Sequence, residues 1–143
     1  MSDPTPTPTT TSALQAALQG EYAAVFGYGQ AAGPLRGTDL ATASSYLDAH
    51  RARRDRLTSL VLDQSAVPTP AAAEYAVPPS ATARAGRTVL AGIESRLCAT
   101  YADLVAASTG PTRALAVTAL QESAARSARW GAAVPVFPGL AER

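Results

Sequence analysis

Alanine fills 33 of the 143 positions, and a chain so rich in it has few ways to build a core. A methyl side chain buries little apolar surface, so the backbones themselves must come close together. Alanine is also the best helix former and a poor strand residue. Closely packed helices are therefore the architecture this sequence favours, and its length suits one domain that needs neither disulfide nor structural metal to fold.

Prolines and glycines divide the chain into four helical stretches. Alternating Pro and Thr from Pro4 to Thr9 predict an extended, disordered tail over 1–11, with the folded domain over 12–143. Ser12 is the expected N-cap of a first helix running to about Ala32, where Gly33-Pro34 stops it, with an apolar seam of Leu14, Leu18, Val25 and Tyr28. Thr38 and Asp39 are expected to cap a second helix reaching about Gln64, carrying Leu40, Ala43, Leu47, Leu57 and Val61. The short turn from Gly33 to Gly37 makes these two an antiparallel hairpin.

Ser65 to Ser80, with Pro68, Pro70, Pro78 and Pro79, is too long for a turn, though Ala71–Tyr75 has room for one helical turn. A second helix of roughly 26 residues is about 39 Å long. A linker of this size can extend over about 50 Å, so it can run the length of the molecule and leave helices two and three parallel. The third helix, from about Ala81 to Ala107, carries Leu90, Leu97, Tyr101 and Leu104 and is ended by Gly110-Pro111. The fourth spans about Thr112 to Trp130 with Leu115, Thr118 and Ala125 on its seam, and the tail Val136–Leu140 is expected to fold back beside Trp130 to close the bundle end. The expected fold is all-α: a four-helix bundle of two antiparallel hairpins joined by a long crossover.

Charge and composition set several functions aside. Twelve basic residues, all arginine, against eleven acidic ones give a net charge of +1, so no long-range field draws the protein to nucleic acid or membrane. Arg51, Arg53, Arg54 and Arg56 interleave with Asp48 and Asp55 and spread over several helix faces, as a solvated surface does. Cys98 is the only cysteine, which excludes an intrachain disulfide and reads as a small buried residue. With no basic-then-apolar leader and no run of about 18 apolar residues, a soluble cytoplasmic protein is expected. No Gly-rich phosphate loop is present, and a single histidine cannot supply a Ser-His-Asp set.

The seams nevertheless carry polar residues near the helix midpoints: Glu21 in the first, His50 and Arg54 in the second, Glu94 in the third, Glu122 in the fourth. Buried together, three carboxylates demand a positive partner. Either a metal ion or Arg54 with a protonated His50 can serve, while Tyr28 and Tyr101 are placed to cap such a cluster by hydrogen bonds.

In its order along the chain this set resembles the di-iron carboxylate bundles of the ferritin-like superfamily, which use two lone glutamates and two Glu-x-x-His pairs. Glu21 and Glu94 match the lone glutamates and His50 and Glu122 one half of each pair; Leu47 and Ala125 stand where the resemblance implies Glu and His. The chain also resembles an alanine-rich bacterial ferritin-like domain of unknown function, the DUF4439 type, in Leu14-Gln15-Ala16-Ala17-Leu18, in Glu21 through Gly29, in Ala49-His50-Arg51-Ala52-Arg53-Arg54-Asp55, and in Trp130 with Phe137-Pro138-Gly139-Leu140. The resemblance implies a ferritin-like fold and brings no activity with it; the expected function is that of a bundle that has lost the complete di-iron site and acts as a structural or protein-interaction domain, with no catalytic residue and no cofactor, as a homodimer through an alanine-rich helix face or with another protein. The alternative is a protein binding one iron or manganese ion at Glu21, His50, Glu94 and Glu122, with residual oxidase activity. A third class is a small-molecule binder that uses the polar centre.

Overall fold

The structure, a computed structural model, describes residues 8–133 and 135–140. Most of the expected tail, positions 1–7, lies outside them. The described residues form four helices and no strand: α1 (Thr10–Ala31), α2 (Gly37–Asp63), α3 (Ala83–Ala107) and α4 (Gly110–Arg129).

The helix starts differ from expectation for local reasons. Thr9, not Ser12, caps α1: its hydroxyl accepts the Ser12 N–H at 3.1 Å, and the next residue, Thr10, donates to the Ala107 carbonyl at 2.5 Å, fixing the start of α1 to the end of α3. Neither Thr38 nor Asp39 caps α2, which opens from an extended Arg36 without a side-chain cap. Asp39 instead accepts Arg87 of α3 and Arg129 of α4, each at 2.9 Å. Thr82 caps α3 by accepting the Ala85 N–H at 3.1 Å. Pro111 lies in the first turn of α4 rather than ending α3, because a helix's first N–H groups have no intrahelical acceptor to lose.

Contacts across the helices give the connectivity. Tyr28 pairs with Glu94 and Tyr101 with Glu21, so α1 and α3 are antiparallel. Asp39 and Arg87, each near the start of its helix, make α2 and α3 parallel. The segment 64–82 is the crossover that this requires, and it contains no helical turn at Ala71–Tyr75. It is tied down at two points. The Gln15 side chain donates to the Val67 carbonyl at 2.7 Å and accepts the Thr69 N–H and hydroxyl at 2.9 and 3.0 Å; farther on, Tyr75 packs on Phe26 with ring centroids 5.6 Å apart.

Leu14, Leu18 and Tyr28 of α1, Leu57 and Val61 of α2, and Leu90, Leu97, Tyr101 and Leu104 of α3 are buried together, as their spacing predicts. Val25 and Leu47 are only half-buried and Leu40 is exposed. In α4 the buried stripe is Ala116, Ala119, Ser123, Arg126 and Ser127, one position away from the expected one, whose Thr118 and Ala125 face solvent. The ends of α1 and α3 approach so closely that a Cβ on Gly86 would stand 2.5 Å from the Ala31 carbonyl oxygen. Trp130 is buried at the bundle end, but Phe137 and Leu140, 69% and 62% exposed, do not join it; the tail is held instead where Gly139 lies flat on α3 at Cys98. No helix among the described residues is long and apolar enough to cross a membrane.

Candidate functional site

Helical spacing sets Glu21 between Leu18 and Tyr28 on the buried face of α1, Glu94 between Leu90 and Leu97 on that of α3, and His50 between Ala43 and Leu57 on that of α2. All three side chains are at most 1% exposed. The imidazole stands between the two carboxylates, with Nδ1 2.6 Å from Glu21 Oε2 and Nε2 2.9 Å from Glu94 Oε1. Tyr101 donates its hydroxyl to Glu21 Oε1, Tyr28 donates to Glu94 Oε1 at 2.5 Å, and Trp130 Nε1 donates to the Tyr28 hydroxyl at 3.0 Å. One hydrogen-bonded chain thus runs Trp130–Tyr28–Glu94–His50–Glu21–Tyr101 and links α1, α2 and α3 to the residue that follows α4.

A ring nitrogen that faces a carboxylate oxygen at hydrogen-bond distance carries a proton, and here both nitrogens do so. Burial alone would push the His50 pKa down; hydrogen bonds to Glu21 and Glu94 and the charges of both outweigh it and hold the pKa at about 9. His50 is therefore a cation at neutral pH. Burial first, and then the neighbouring carboxylates, raise the pKa of Tyr28 and of Tyr101, so both remain hydroxyl donors. Cys98 is pushed up to about 11, mainly by burial and further by the charge of Glu94, which makes it an inert thiol at neutral pH.

The structure brings Glu21, His50 and Glu94 together and places the other two expected members elsewhere. Glu122 sits at the rim, its side chain 40% exposed, and accepts Arg53 at 2.5 Å and Arg126 at 3.4 Å. Arg54 turns outward to Asp55 at 2.9 Å. The inward arginine is its neighbour Arg53, which also lies over the Tyr101 ring with its guanidinium carbon 5.8 Å from the centroid. On α4 the inward pair at three-residue spacing is Ser123 and Arg126, not Glu122 and Ala125. Ser123 and Arg126 carried no apolar signal in a helix with alanine on most faces, though Arg126 follows Glu122 by four residues, a spacing that marks an ion pair on a helix. Three carboxylates thus meet three cations: Glu21 and Glu94 with His50, and Glu122 with Arg53 and Arg126.

That arrangement does not fit a metal ion. The imidazole spends both nitrogens on the two glutamates, so these donors face one another rather than a common point, and Glu122 is directed at arginines. Among the described residues no group of three or more His, Cys, Asp or Glu side chains is disposed to hold a metal. Three buried polar atoms, Glu94 Oε2, Arg53 Nη1 and Ser123 Oγ, have no hydrogen-bond partner among the described residues.

Residues 13–142 match the family model of a domain of unknown function, DUF4439. The fold is similar to the crystal structure of a conserved hypothetical protein, rv2844, from Mycobacterium tuberculosis, with a TM-score of 0.81 and 28% sequence identity over 85% of this chain and 93% of that one. No curated protein matches the sequence.

Proposed function

Because the chain belongs to the DUF4439 family, a domain of unknown function, we propose that it is a ferritin-like bundle whose centre is held by its own histidine in place of metal, and that it serves as a structural or protein-interaction domain. The observation that carries this reading is His50 placed between two fully buried glutamates with a nitrogen for each. A buried imidazolium supplies the positive charge that a pair of buried carboxylates requires, and with that charge in place the centre has no open electrophilic position for oxygen or substrate.

The interaction half of the reading rests on α4. Its outward residues Ala114, Thr118, Gln121, Ala125 and Ala128 alternate by four and three along one uncharged face, the spacing on which a second helix can pack. A second copy of the chain, giving a homodimer, is the partner such a face suits. Sedimentation of the wild type and of Ala125→Arg tests this: a dimer that the substitution dissociates supports it, and a wild-type monomer at all concentrations removes the homodimer.

Glu94 Oε2, buried without a partner, is the one observation that favours the second reading, a protein binding a single iron or manganese ion. Binding would have to expel the His50 proton and turn the ring away from one glutamate. The test of the first reading is direct. In nitrogen-labelled protein at neutral pH both ring nitrogens of His50 are expected to be protonated, and anaerobic incubation with ferrous or manganous ion followed by desalting is expected to leave no bound metal. Near-stoichiometric metal that disappears in Glu94→Gln would overturn the first reading and establish the second.

A further inference from the structure

A groove of about 380 Å³ lies between α1 and α3 beneath the crossover, and none of Glu21, His50 and Glu94 lines it. Its existence follows from sequence. Ala16 and Ala23 form the α1 floor, where larger side chains would have filled the space; between them Gly20 lets Leu97 close in, an added Cβ there standing 2.9 Å from Leu97 Cδ2, while Ile93 and Leu97 form the α3 wall and Val77 hangs over it from the crossover. The roof does not depend on a ligand for its position, since Gln15 grips the crossover at Val67 and Thr69 and Phe26 packs against Tyr75. A largely preformed, mainly apolar concavity of this size, with a few polar groups at one side, is the usual form of a small-molecule site.

Charge identifies the class of ligand. Arg96 lines the groove, and no aspartate or glutamate does. Arg51, Arg53, Arg54, Arg87, Arg126 and Arg129 each meet a carboxylate, whereas Arg96, like Arg36, Arg56, Arg84 and Arg113, forms no ion pair among the described residues; of these unpaired arginines Arg96 alone lines the groove. Its guanidinium lies back along α3 over Gly92, where an added Cβ would stand 3.5 Å from Nη1, so the head group rests on the helix beside the groove. Gln19, Thr100 and Tyr75 supply the remaining polar side chains of the lining, and the Tyr75 hydroxyl already accepts the Ala72 N–H at 2.9 Å. One planar cation suits one carboxylate; a phosphate dianion would call for further cations, and the lining has none.

We propose that this groove binds a small monocarboxylate with an apolar body, the carboxylate on Arg96 and the body along Ala16, Gly20 and Ala23 against Ile93 and Leu97. The site is separate from the polar centre and shares no side chain with it, so its test does not depend on whether the centre holds metal.

Amide chemical shifts of the intact chain, titrated with sodium octanoate and in parallel with octanol, test the site. Octanoate is expected to give saturable shifts centred on Gln19, Ala23, Val77 and Thr100. Arg96→Gln is expected to weaken it about tenfold, as loss of one charge-assisted hydrogen bond at a solvated rim implies, and octanol is expected to bind wild type and variant equally weakly. Ala23→Leu, which fills the floor, is expected to abolish the shifts while leaving the helical circular dichroism unchanged. No saturable shift with octanoate, or shifts centred elsewhere, would refute the site. Octanoate bound as tightly by Arg96→Gln as by wild type would refute carboxylate recognition, whether or not Ala23→Leu folds.

Discussion

His50 has no polar surroundings but those the other helices bring to it. Its folded pKa of about 9 lies above the ordinary value of 6.5, and the sign of the consequence follows. A raised pKa contributes stability that is fully present below about 6.5 and is lost as pH rises through 9, a displacement worth on the order of 3 kcal/mol. The urea midpoint of the wild type is therefore expected to fall steadily between pH 6.5 and 9, and His50→Gln is expected to be less stable at pH 6.5 and nearly flat over that window. A wild-type midpoint that does not change from pH 6.5 to 9 would mean that the imidazole is neutral in the folded state. Tyr28 is the second residue on which the centre turns, since its hydroxyl accepts from Trp130 and donates to Glu94. Tyr28→Phe leaves both partners short of a bond and is expected to cost about 2–4 kcal/mol in chemical denaturation, more than a lone hydroxyl at a helix surface would.

At the scale of the helices, the sequence was most readable where apolar residues are large. Leu90, Leu97, Tyr101 and Leu104 stand out in α3 and are all buried, and the prolines of the crossover mark it plainly. Legibility fails in α4, where alanine recurs on every face and the stripe drawn through Leu115 is one residue out of phase with the buried one. By that spacing Glu122 faces the centre, whereas the buried positions beside it are Ser123 and Arg126. Arg53 and Arg54 could not be separated by periodicity either, since three or four residues beyond His50 both face roughly inward; Glu122, lying across from Arg53, decides between them. The centre was legible as Glu21, His50 and Glu94, because a charged residue among large apolar ones at helical spacing is itself conspicuous. Glycines in the helices carry the opposite lesson, that residue type alone does not disclose purpose. A Cβ on Gly86 meets the Ala31 carbonyl at 2.5 Å, while one on Gly29 meets nothing within 4 Å. Gly86→Ala is expected to lose about 1–3 kcal/mol through displaced backbone, and Gly29→Ala to gain roughly 0.5–1 kcal/mol from helix propensity, both read from thermal melts.

Across the whole molecule the four helices are not joined equally. α1 packs against α2 and α3, and α3 against α4, over their lengths. The remaining edge, α2 with α4, is bridged mainly by long side chains: Arg53 to Glu122 at 2.5 Å, Arg129 to Asp39 at 2.9 Å, Tyr46 against Trp130 with centroids 5.9 Å apart, and Arg126 over Tyr46 at 4.8 Å. Glu122 is the common acceptor of two of these cations, so removing it strips Arg53 and Arg126, 14% and 11% exposed, of their counter-charge. Two largely buried arginines left facing each other oppose closure, at roughly 1–3 kcal/mol, between the values of exposed and buried pairs because Glu122 itself is 40% exposed. Glu122→Ala is therefore expected to speed amide hydrogen exchange in the middle of α4 and in α2 around Arg53, with the α1–α3 amides unchanged. The effect is expected to be the same with and without added manganous ion, because Glu122 is directed at arginines. Uniform acceleration in all four helices would show that the bundle opens as one unit and that this edge is no weaker than the others; protection restored by manganous ion in the wild type but not in the variant would return Glu122 to a metal-binding role.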